Sequence, residues 1–191
     1  TLSQSYQEEI TSEKKVSSDM VEEIQISTDN ASVEVLPTSD TETKVQLVTK
    51  GVDVSKLDFT AEVEGKKLII RLKDKSTFYI GFNIQSSHLY VYVPQKLYHS
   101  IVIDNDNGKV KMSELNVKNL NVQTDNGRIE LNKIVSENVD VRSANGKLNL
   151  NEVEGNIKGS SNNGKILLAT KDLDRNIQLE SNNGKISIKT E

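Results

Sequence analysis

The stretch IVIDNDNGKVKMSELNVKNLNVQTDNGRIEL, residues 101–131, contains two copies of one pattern. In each copy, apolar and polar residues alternate before an Asn-Gly pair and alternate again after it. Alternation with a period of two is typical of a β-strand that buries one face, and Asn-Gly is a favoured turn sequence. The stretch therefore predicts a repeated unit of two short strands joined by a turn.

The Asn-Gly pair recurs five times, at intervals of 19, 19, 18 and 20 residues. Apolar residues return six positions before each Asn, and three and five positions after it. A fixed interval of this kind indicates stacked copies of one structural unit. An earlier, weaker copy, with Ala31 in the position of Gly, lies in IQISTDNASVEV, residues 24–35. The predicted turn residues are Asn107, Gly108, Asn126, Gly127, Asn145, Gly146, Asn163, Gly164, Asn183 and Gly184.

Small polar residues also recur. We use the word column for the set of residues at one position of successive repeats. Such side chains can hydrogen-bond to the backbone at a bend and to one another along a stack. The column two positions before each turn has the parity of the apolar residues and should face inward; it is Asn105, Thr124, Ser143, Ser161 and Ser181. The column seven positions before each turn lies at a second bend; it is Ser100, Asn119, Asn138, Asn156 and Asn176.

Two all-β architectures fit these repeats. In a right-handed parallel β-helix, or β-solenoid, with coils of about 19 residues, Asn-Gly is one corner and equivalent positions stack roughly 4.8 Å apart. In the alternative, antiparallel β-hairpin repeats, Asn-Gly is a type I′ turn. We expect the β-helix, because stacking explains why polar, apolar and turn columns recur together. We also expect Gly127 and Gly146 to adopt a left-handed conformation that penalises any side chain.

The first half of the chain lacks the period. A predicted turn at Glu64-Gly65 separates two of its strands, and Pro94 ends the last of them because proline cannot donate to a sheet. We expect one domain over 1–191: a polar arm or edge strand at 1–23, a degenerate first repeat with irregular strands at 24–100, and five Asn-Gly repeats at 101–191, the last incomplete. The predicted irregular strands are Lys44–Val48, Phe59–Val63, Leu68–Leu72, Phe78–Ile84 and Leu89–Val93.

Composition excludes several function classes. A net charge of −4 argues against a nucleic-acid partner, and the absence of Cys excludes disulfides, thiol nucleophiles and Cys-ligated metals. No segment reaches the roughly 18 consecutive apolar residues of a membrane-spanning helix. The start of the chain also lacks the apolar stretch of a signal peptide.

Catalytic chemistry has little support in the sequence. His88 and His99 form no metal-ligand pattern, and no nucleophile motif surrounds a serine. Asp106 and Asp125, one position before the turn in adjacent repeats, could approach the roughly 5 Å carboxyl spacing of a retaining glycosidase or bind calcium. Asp before Asn-Gly is, however, favoured by turn chemistry itself. We therefore predict no catalytic residue, no metal, no cofactor and no enzymatic activity.

The most suggestive column lies two positions after each Asn and is basic in every repeat. Stacked at strand spacing, its unit charges would repel by about 0.9 kcal/mol per neighbour in water. One interpretation is a solvated row that keeps a strand edge from pairing with other chains. The other is a linear receptor for an anionic polymer, an acidic glycan or lipid headgroups, with Asp106 and Asp125 neutralising the first two repeats. This basic column is Lys109, Arg128, Lys147, Lys165 and Lys185.

The segments LYVYVP, SIVIDNDNGKVKMSEL, NLNVQTDNGRIELNKI and NVDVRSANGKLNLNEVEGN resemble the bacterial "putative adhesin" β-strand-repeat family, which includes LiaG-type extracytoplasmic proteins. The leading EEIQISTDNASVEVLP resembles its first repeat. The resemblance implies a right-handed β-helix displayed outside the cytoplasmic membrane, with links in some members to envelope stress. It implies no activity and no catalytic residues.

Three function classes follow. The first is a non-catalytic, extracytoplasmic or cell-surface binding module for an anionic envelope polymer or a membrane or surface protein. The second is a structural spacer, and the third is a glycan-active enzyme, which would need a cleft of converging acids and bases. No capping element follows Ile186 and Ile188, and we expect nearby charges to guard that end, so that the protein is a monomer or a weak dimer.

Overall fold

The structure is a computed structural model that describes residues 8–75 and 86–190, and over these residues the chain is all β, as predicted. One short 3₁₀ helix, Val54–Lys56, interrupts the strands. The strands are β1 (Glu9–Ser17), β2 (Glu23–Asn30), β3 (Ser32–Thr38), β4 (Glu42–Lys50), β5 (Leu57–Glu64), β6 (Lys67–Asp74), β7 (Ser86–Pro94), β8 (Leu97–Asn107), β9 (Val110–Asn126), β10 (Ile129–Ser143), β11 (Leu148–Val153), β12 (Asn156–Ser161), β13 (Ile166–Ala169), β14 (Ile177–Ser181) and β15 (Ile186–Lys189).

Equivalent segments of consecutive repeats pair in parallel. Leu120 on β9 lies beside Val139 on β10, and Val110 lies beside Ile129, so the register follows the sequence interval. The same parallel pairing continues from β10 to β11 and β12, and on to β13, β14 and β15. The antiparallel-hairpin alternative is therefore wrong for these repeats, because the strands on either side of Asn-Gly pair with neighbouring repeats and not with each other.

A second bend interrupts the long strands seven positions after the turn Asn. Glu114, Lys133 and Glu152 adopt positive φ values of 57°, 55° and 53°. A residue in the left-handed conformation changes the direction of an extended chain, so the backbone turns here without a glycine. Each regular repeat consequently consists of short straight segments separated by bends.

The core lies between these segments and is aliphatic. The positions that the alternation predicted as apolar are buried in the first four repeats, together with a column that the alternation did not predict, Leu115, Ile134 and Val153. This column follows directly after the left-handed bend, which shifts the inward parity by one residue. One repeat buries Val110, Met112, Leu115, Val117, Leu120, Val122 and Thr124.

Antiparallel strands flank the repeats on the N-terminal side. β1 pairs with β4 and β4 with β7, while β5 and β6 form a hairpin around Gly65, whose φ is +62°. Phe59 and Leu57 on β5 pack against the buried core. Strands are present at four of the predicted irregular segments, whereas the predicted strand Phe78–Ile84 lies outside the described residues.

The last repeat leaves part of the core uncovered. Ile186 and Ile188 are 39% and 50% exposed, whereas the equivalent Ile166 and Leu168 in the preceding repeat are 0% and 1% exposed. The difference arises because β15 pairs with β13 on one side, and no described strand pairs with its other side.

Tyr98 anchors the entry to the first regular repeat. Its ring is 1% exposed, its hydroxyl donates a hydrogen bond of 2.7 Å to the Pro94 carbonyl, and burial raises the pKa of the phenol above its ordinary value of 10.0. The folded state therefore holds this proton at a pH where the unfolded state releases it.

We expect the contribution of Tyr98 to the free energy of unfolding to be constant below about pH 10 and to fall as the pH rises above it. Tyr98→Phe should cost about 1 kcal/mol at about pH 8, through the lost hydrogen bond, and should lose less stability than wild type between that pH and about pH 11. Urea unfolding of both proteins at the two pH values measures this. Equal losses would show that Tyr98 does not titrate differently on folding.

Candidate ligand-binding face

The Asn-Gly bends stack directly on one another. A Cβ placed on Gly127 would lie 1.9 Å from the carbonyl oxygen of Gly108, and one on Gly146 would lie 1.8 Å from that of Gly127. Neither Gly127 nor Gly146 has a left-handed φ, so the conformation that we expected for them is wrong. Glycine is needed here because the backbone of the preceding repeat occupies the space of a side chain.

The inward polar column satisfies the carbonyl groups at this bend. Ser143 Oγ donates to the Gly127 carbonyl at 2.8 Å, Ser161 Oγ to that of Gly146 at 2.7 Å, and Ser181 Oγ to that of Gly164 at 2.8 Å. Ser143 and Ser161 are themselves buried, so the bond satisfies both the hydroxyl and the carbonyl. These hydrogen bonds of the inward polar column therefore fix the distance between successive bends.

The turn asparagines form a continuous ladder on the exposed side of the bend. Each side-chain amide donates to the side-chain oxygen of the preceding Asn at 2.7 to 2.8 Å. Because the ladder joins all five turns and the degenerate first copy, the bends form one straight edge. Its members are Asn30, Asn107, Asn126, Asn145, Asn163 and Asn183.

The structure brings the whole basic column together beside this ladder. Backbone hydrogen bonds of 2.9 to 3.0 Å run from the residue after one basic residue to the carbonyl of the next basic residue along the stack. Val110 donates in this way to Arg128, and Ile166 donates to Lys185. Successive basic residues are therefore separated by one strand spacing, about 4.8 Å.

Glu130 neutralises the first two members of the column. Its carboxylate lies 3.2 Å from Lys109 Nζ and 3.5 Å from Arg128 Nε. The expectation that Asp106 and Asp125 do this is wrong. Glu130 neutralises Lys109 and Arg128 because it is two positions beyond Arg128 and therefore on the same outward face. The sequence carried this signal, since side chains two apart on a strand share a face.

The other three basic residues have no such partner. Among residues 8–75 and 86–190, no carboxylate lies within ion-pair distance of Lys147, Lys165 or Lys185. Lys165 and Lys185 are exposed. The column is thus balanced at its N-terminal end and carries three uncompensated charges toward its C-terminal end.

The two acidic candidates are neighbours in the stack, but no metal-ligand cluster forms around them among the described residues. Asp106 and Asp125 are exposed and directly precede the paired Asn107 and Asn126. The part of the chain that the structure describes contains no group of three His, Cys, Asp or Glu side chains that could hold a metal ion. His88 lies on β7 with its Nδ1 against the hydroxyl of Ser32.

A chain of parallel repeats with stacked polar bends and an outward row of cations defines an all-β repeat protein. The chain belongs to the family described as Toastrack DUF4097, whose model matches residues 21–191. This confirms the resemblance to an adhesin-like family of β-strand repeats.

Solved structures are similar to the chain at low sequence identity. A "putative cell adhesion protein" from Clostridium sporogenes is 14% identical, with 96% of this chain and all of that chain covered and a TM-score of 0.58. A "putative adhesin" from Bacteroides fragilis is 16% identical, with 95% and 97% covered and a TM-score of 0.48. A "putative lipid binding protein" from Parabacteroides distasonis is 15% identical, with 94% and 96% covered and a TM-score of 0.35.

No curated protein matches the chain. Within the described ranges, no helix has the length and apolarity needed to cross a membrane.

Proposed function

We propose that this protein is a non-catalytic binding module that holds an anionic polymer of the cell envelope along its basic column. The observation that carries the proposal is the row of Lys147, Lys165 and Lys185, three cations on adjacent strands without an acidic partner among the described residues. A row of like charges costs free energy in the unbound protein, and a polyanion relieves it. The regular spacing suits a linear ligand with repeating negative charge.

We infer that the repeats form a right-handed parallel β-helix with coils of about 19 residues. The parallel register between successive repeats and the stacked bends support this. The handedness rests on the strong preference of parallel β connections for a right-handed crossover. In a β-helix the basic residues of successive coils lie in one line at regular spacing. Lysines on a flexible chain would not keep this arrangement.

An extracytoplasmic location, at the cell surface or anchored to the membrane, is part of the proposal. It is supported by the family resemblance and by the adhesion-related names of structurally similar proteins. A surface-displayed module would meet envelope polymers directly.

The test is a matched pair of charge reversals. We expect Lys165→Glu/Lys185→Glu to lower the affinity for polyphosphate, used as a probe polyanion, by at least about tenfold at low salt. Binding by wild type should weaken between about 0.01 M and about 0.15 M salt, because the screening length falls from about 30 Å to about 8 Å. Fluorescence anisotropy with labelled polyphosphate measures both effects.

Lys118→Glu/Lys158→Glu is the control, since it makes the same change in net charge at exposed positions outside the basic column. This control should retain most of the affinity. If wild type binds no polyphosphate at low salt, or if both double variants lose affinity equally, the column has no binding role. The protein is then better described as a structural spacer whose lysines only keep the surface solvated.

A further inference from the structure

We propose that the polymer is an acidic glycan and that one of its sugar rings stacks on Tyr90, on the same sheet face as the basic column. This inference rests on the proposed function and names the chemical class of its ligand. The strand order β4-β7-β3-β9-β10-β11-β13-β15 is continuous across the sheet.

The basic column continues as a row onto the N-terminal strands. Val33 donates a backbone hydrogen bond of 2.8 Å to the Lys109 carbonyl, so Ser32 lies next to Lys109 on the outward face. Ser32 pairs in turn with His88 on β7, and the hydroxyl contacts the imidazole. One straight row therefore leads from the lysines through Ser32 to His88.

Tyr90 lies beside the end of this row and points outward. The residues that alternate with it, Leu89 and Val91, are completely buried. The His88 and Tyr90 rings are stacked with their centroids 6.4 Å apart and an interplanar angle of 26°. An aromatic ring on a rigid strand is a preorganised apolar surface, and the C–H face of a sugar ring packs against such a surface.

Hydrogen-bonding groups flank Tyr90 on both sides. Gln46 on β4 and Glu34 on β3 are its cross-strand neighbours on the same outward face. Glu34 is held by Lys111 at 3.8 Å. An aromatic ring between an amide and a carboxylate offers a stacking surface together with partners for sugar hydroxyl groups.

The neighbouring Tyr92 differs from Tyr90 in a way that provides a control. The ammonium group of Lys44 lies 4.7 Å from the centroid of the Tyr92 ring, and Lys44 also lies 3.7 Å from Glu13. A cation thus occupies the Tyr92 ring, whereas Tyr90 carries no cation of the described residues on its ring.

The distance between Tyr90 and the lysines without acidic partners suits a polymeric ligand. β7 and β13 are five strands apart in the sheet order, so Tyr90 and Lys165 are about 24 Å apart at normal strand spacing. A single sugar cannot contact both, but a chain of several sugars with repeated acidic groups can. Linked weak contacts of this kind raise affinity by effective concentration.

The experiment compares two polyanions, hyaluronan as an acidic glycan and polyphosphate as a polyanion without sugars. We expect Tyr90→Ala to weaken hyaluronan binding by about fivefold and to leave polyphosphate binding unchanged. Tyr90→Phe should bind hyaluronan like wild type because the ring remains, and Tyr92→Ala should have little effect on it. Lys165→Gln/Lys185→Gln should weaken the binding of both polymers.

The outcomes separate the role of Tyr90 from the proposed function of the basic column. Wild-type hyaluronan binding by a folded Tyr90→Ala variant would overturn the role of Tyr90, while lysine-dependent polyphosphate binding would leave the proposed function standing. Equal loss of both polymers in Tyr90→Ala, with loss in Tyr90→Phe as well, would mean that the side chain supports the sheet and contacts no sugar. If wild type binds neither polymer, both proposals fail.

Discussion

Gly146→Ala is expected to lower the free energy of unfolding by more than about 3 kcal/mol. The added methyl carbon would lie 1.8 Å from the carbonyl oxygen of Gly127 and 2.7 Å from Ser143 Oγ. Neither group can move freely, because the carbonyl belongs to a stacked bend and the hydroxyl is hydrogen-bonded to it. Relief requires the repeats to separate, which breaks the parallel pairing on either side. Equilibrium urea unfolding measures the loss.

Two controls separate close approach from backbone conformation. Gly65→Ala has nothing within 4 Å of its new Cβ but a φ of +62°, so it should cost only about 1–2 kcal/mol. Ala31→Gly should cost about 1 kcal/mol or less, because it removes one buried methyl group and adds no atom that could clash. An unfolding midpoint for Gly146→Ala close to that of wild type would show that the bends are not in contact.

Arg175→Met is expected to lower the free energy of unfolding by about 2–3 kcal/mol. Nη1 of Arg175 donates to the carbonyls of Val153 at 2.5 Å and Gly155 at 2.9 Å. Nε donates to the Asp172 carbonyl at 3.0 Å, and Nη2 to Thr170 Oγ1 at 2.7 Å. Arg175 and Asp172 lie in the irregular bend that joins β13 to β14. Without the guanidinium, the carbonyls of this bend and of Val153 and Gly155 lose their partners. Arg175→Lys should be nearly as destabilising, because one ammonium cannot reproduce the planar set of donors.

Arg142→Met is the matched control for Arg175→Met. Arg142 is paired with Asp140 at 3.4 Å, but its side chain is 60% exposed, so its removal should change stability by less than about 0.5 kcal/mol. Similar losses in the two variants would mean that removal of any arginine destabilises the chain, and that Arg175 has no special part in the irregular bend.

Much of the repeat architecture follows from periodicity. The interval between Asn-Gly pairs, together with inward serines such as Ser143, identifies the stacked bends and the polar columns. Parallel pairing is favoured over antiparallel hairpins because stacking accounts for polar, apolar and turn columns that recur together, whereas an Asn-Gly turn alone fits both. The left-handed bend at Glu114, Lys133 and Glu152 could not be predicted, because neither Glu nor Lys favours positive φ and the conformation is imposed by packing of the strands around it.

The candidate site was predicted in position but not in charge balance. The basic column is visible in the sequence because all of its members are basic. Its partner Glu130 was not predicted, because an acidic residue at this position occurs in only one of the five Asn-Gly repeats and leaves no periodic signal. The alignment of Tyr90 and His88 with the column needed the sheet order, since β7, β3 and β9 are neighbours in the sheet but far apart in sequence.

The role of Arg175 could not be predicted from the sequence either. Charge counting treats it as one base in a C-terminal segment, 157–191, that carries six basic and four acidic side chains. In the structure its guanidinium donates to the backbone and to Thr170, and so it contributes to the bend more than to the charged face. Side chains that satisfy backbone groups at irregular bends leave no periodic signal, because they occur once.

The proposed linear anion-binding row consists of Lys147, Lys165 and Lys185. The most direct measurement is a titration of isotope-labelled protein with polyphosphate at low salt, followed through the NMR signals of the backbone amides and lysine side chains. We expect the largest shifts at these three lysines and their sequence neighbours, with smaller shifts at Lys109 and Arg128, which Glu130 already neutralises. Shifts centred on Lys118 and Lys158, or no shifts at all, would contradict the account.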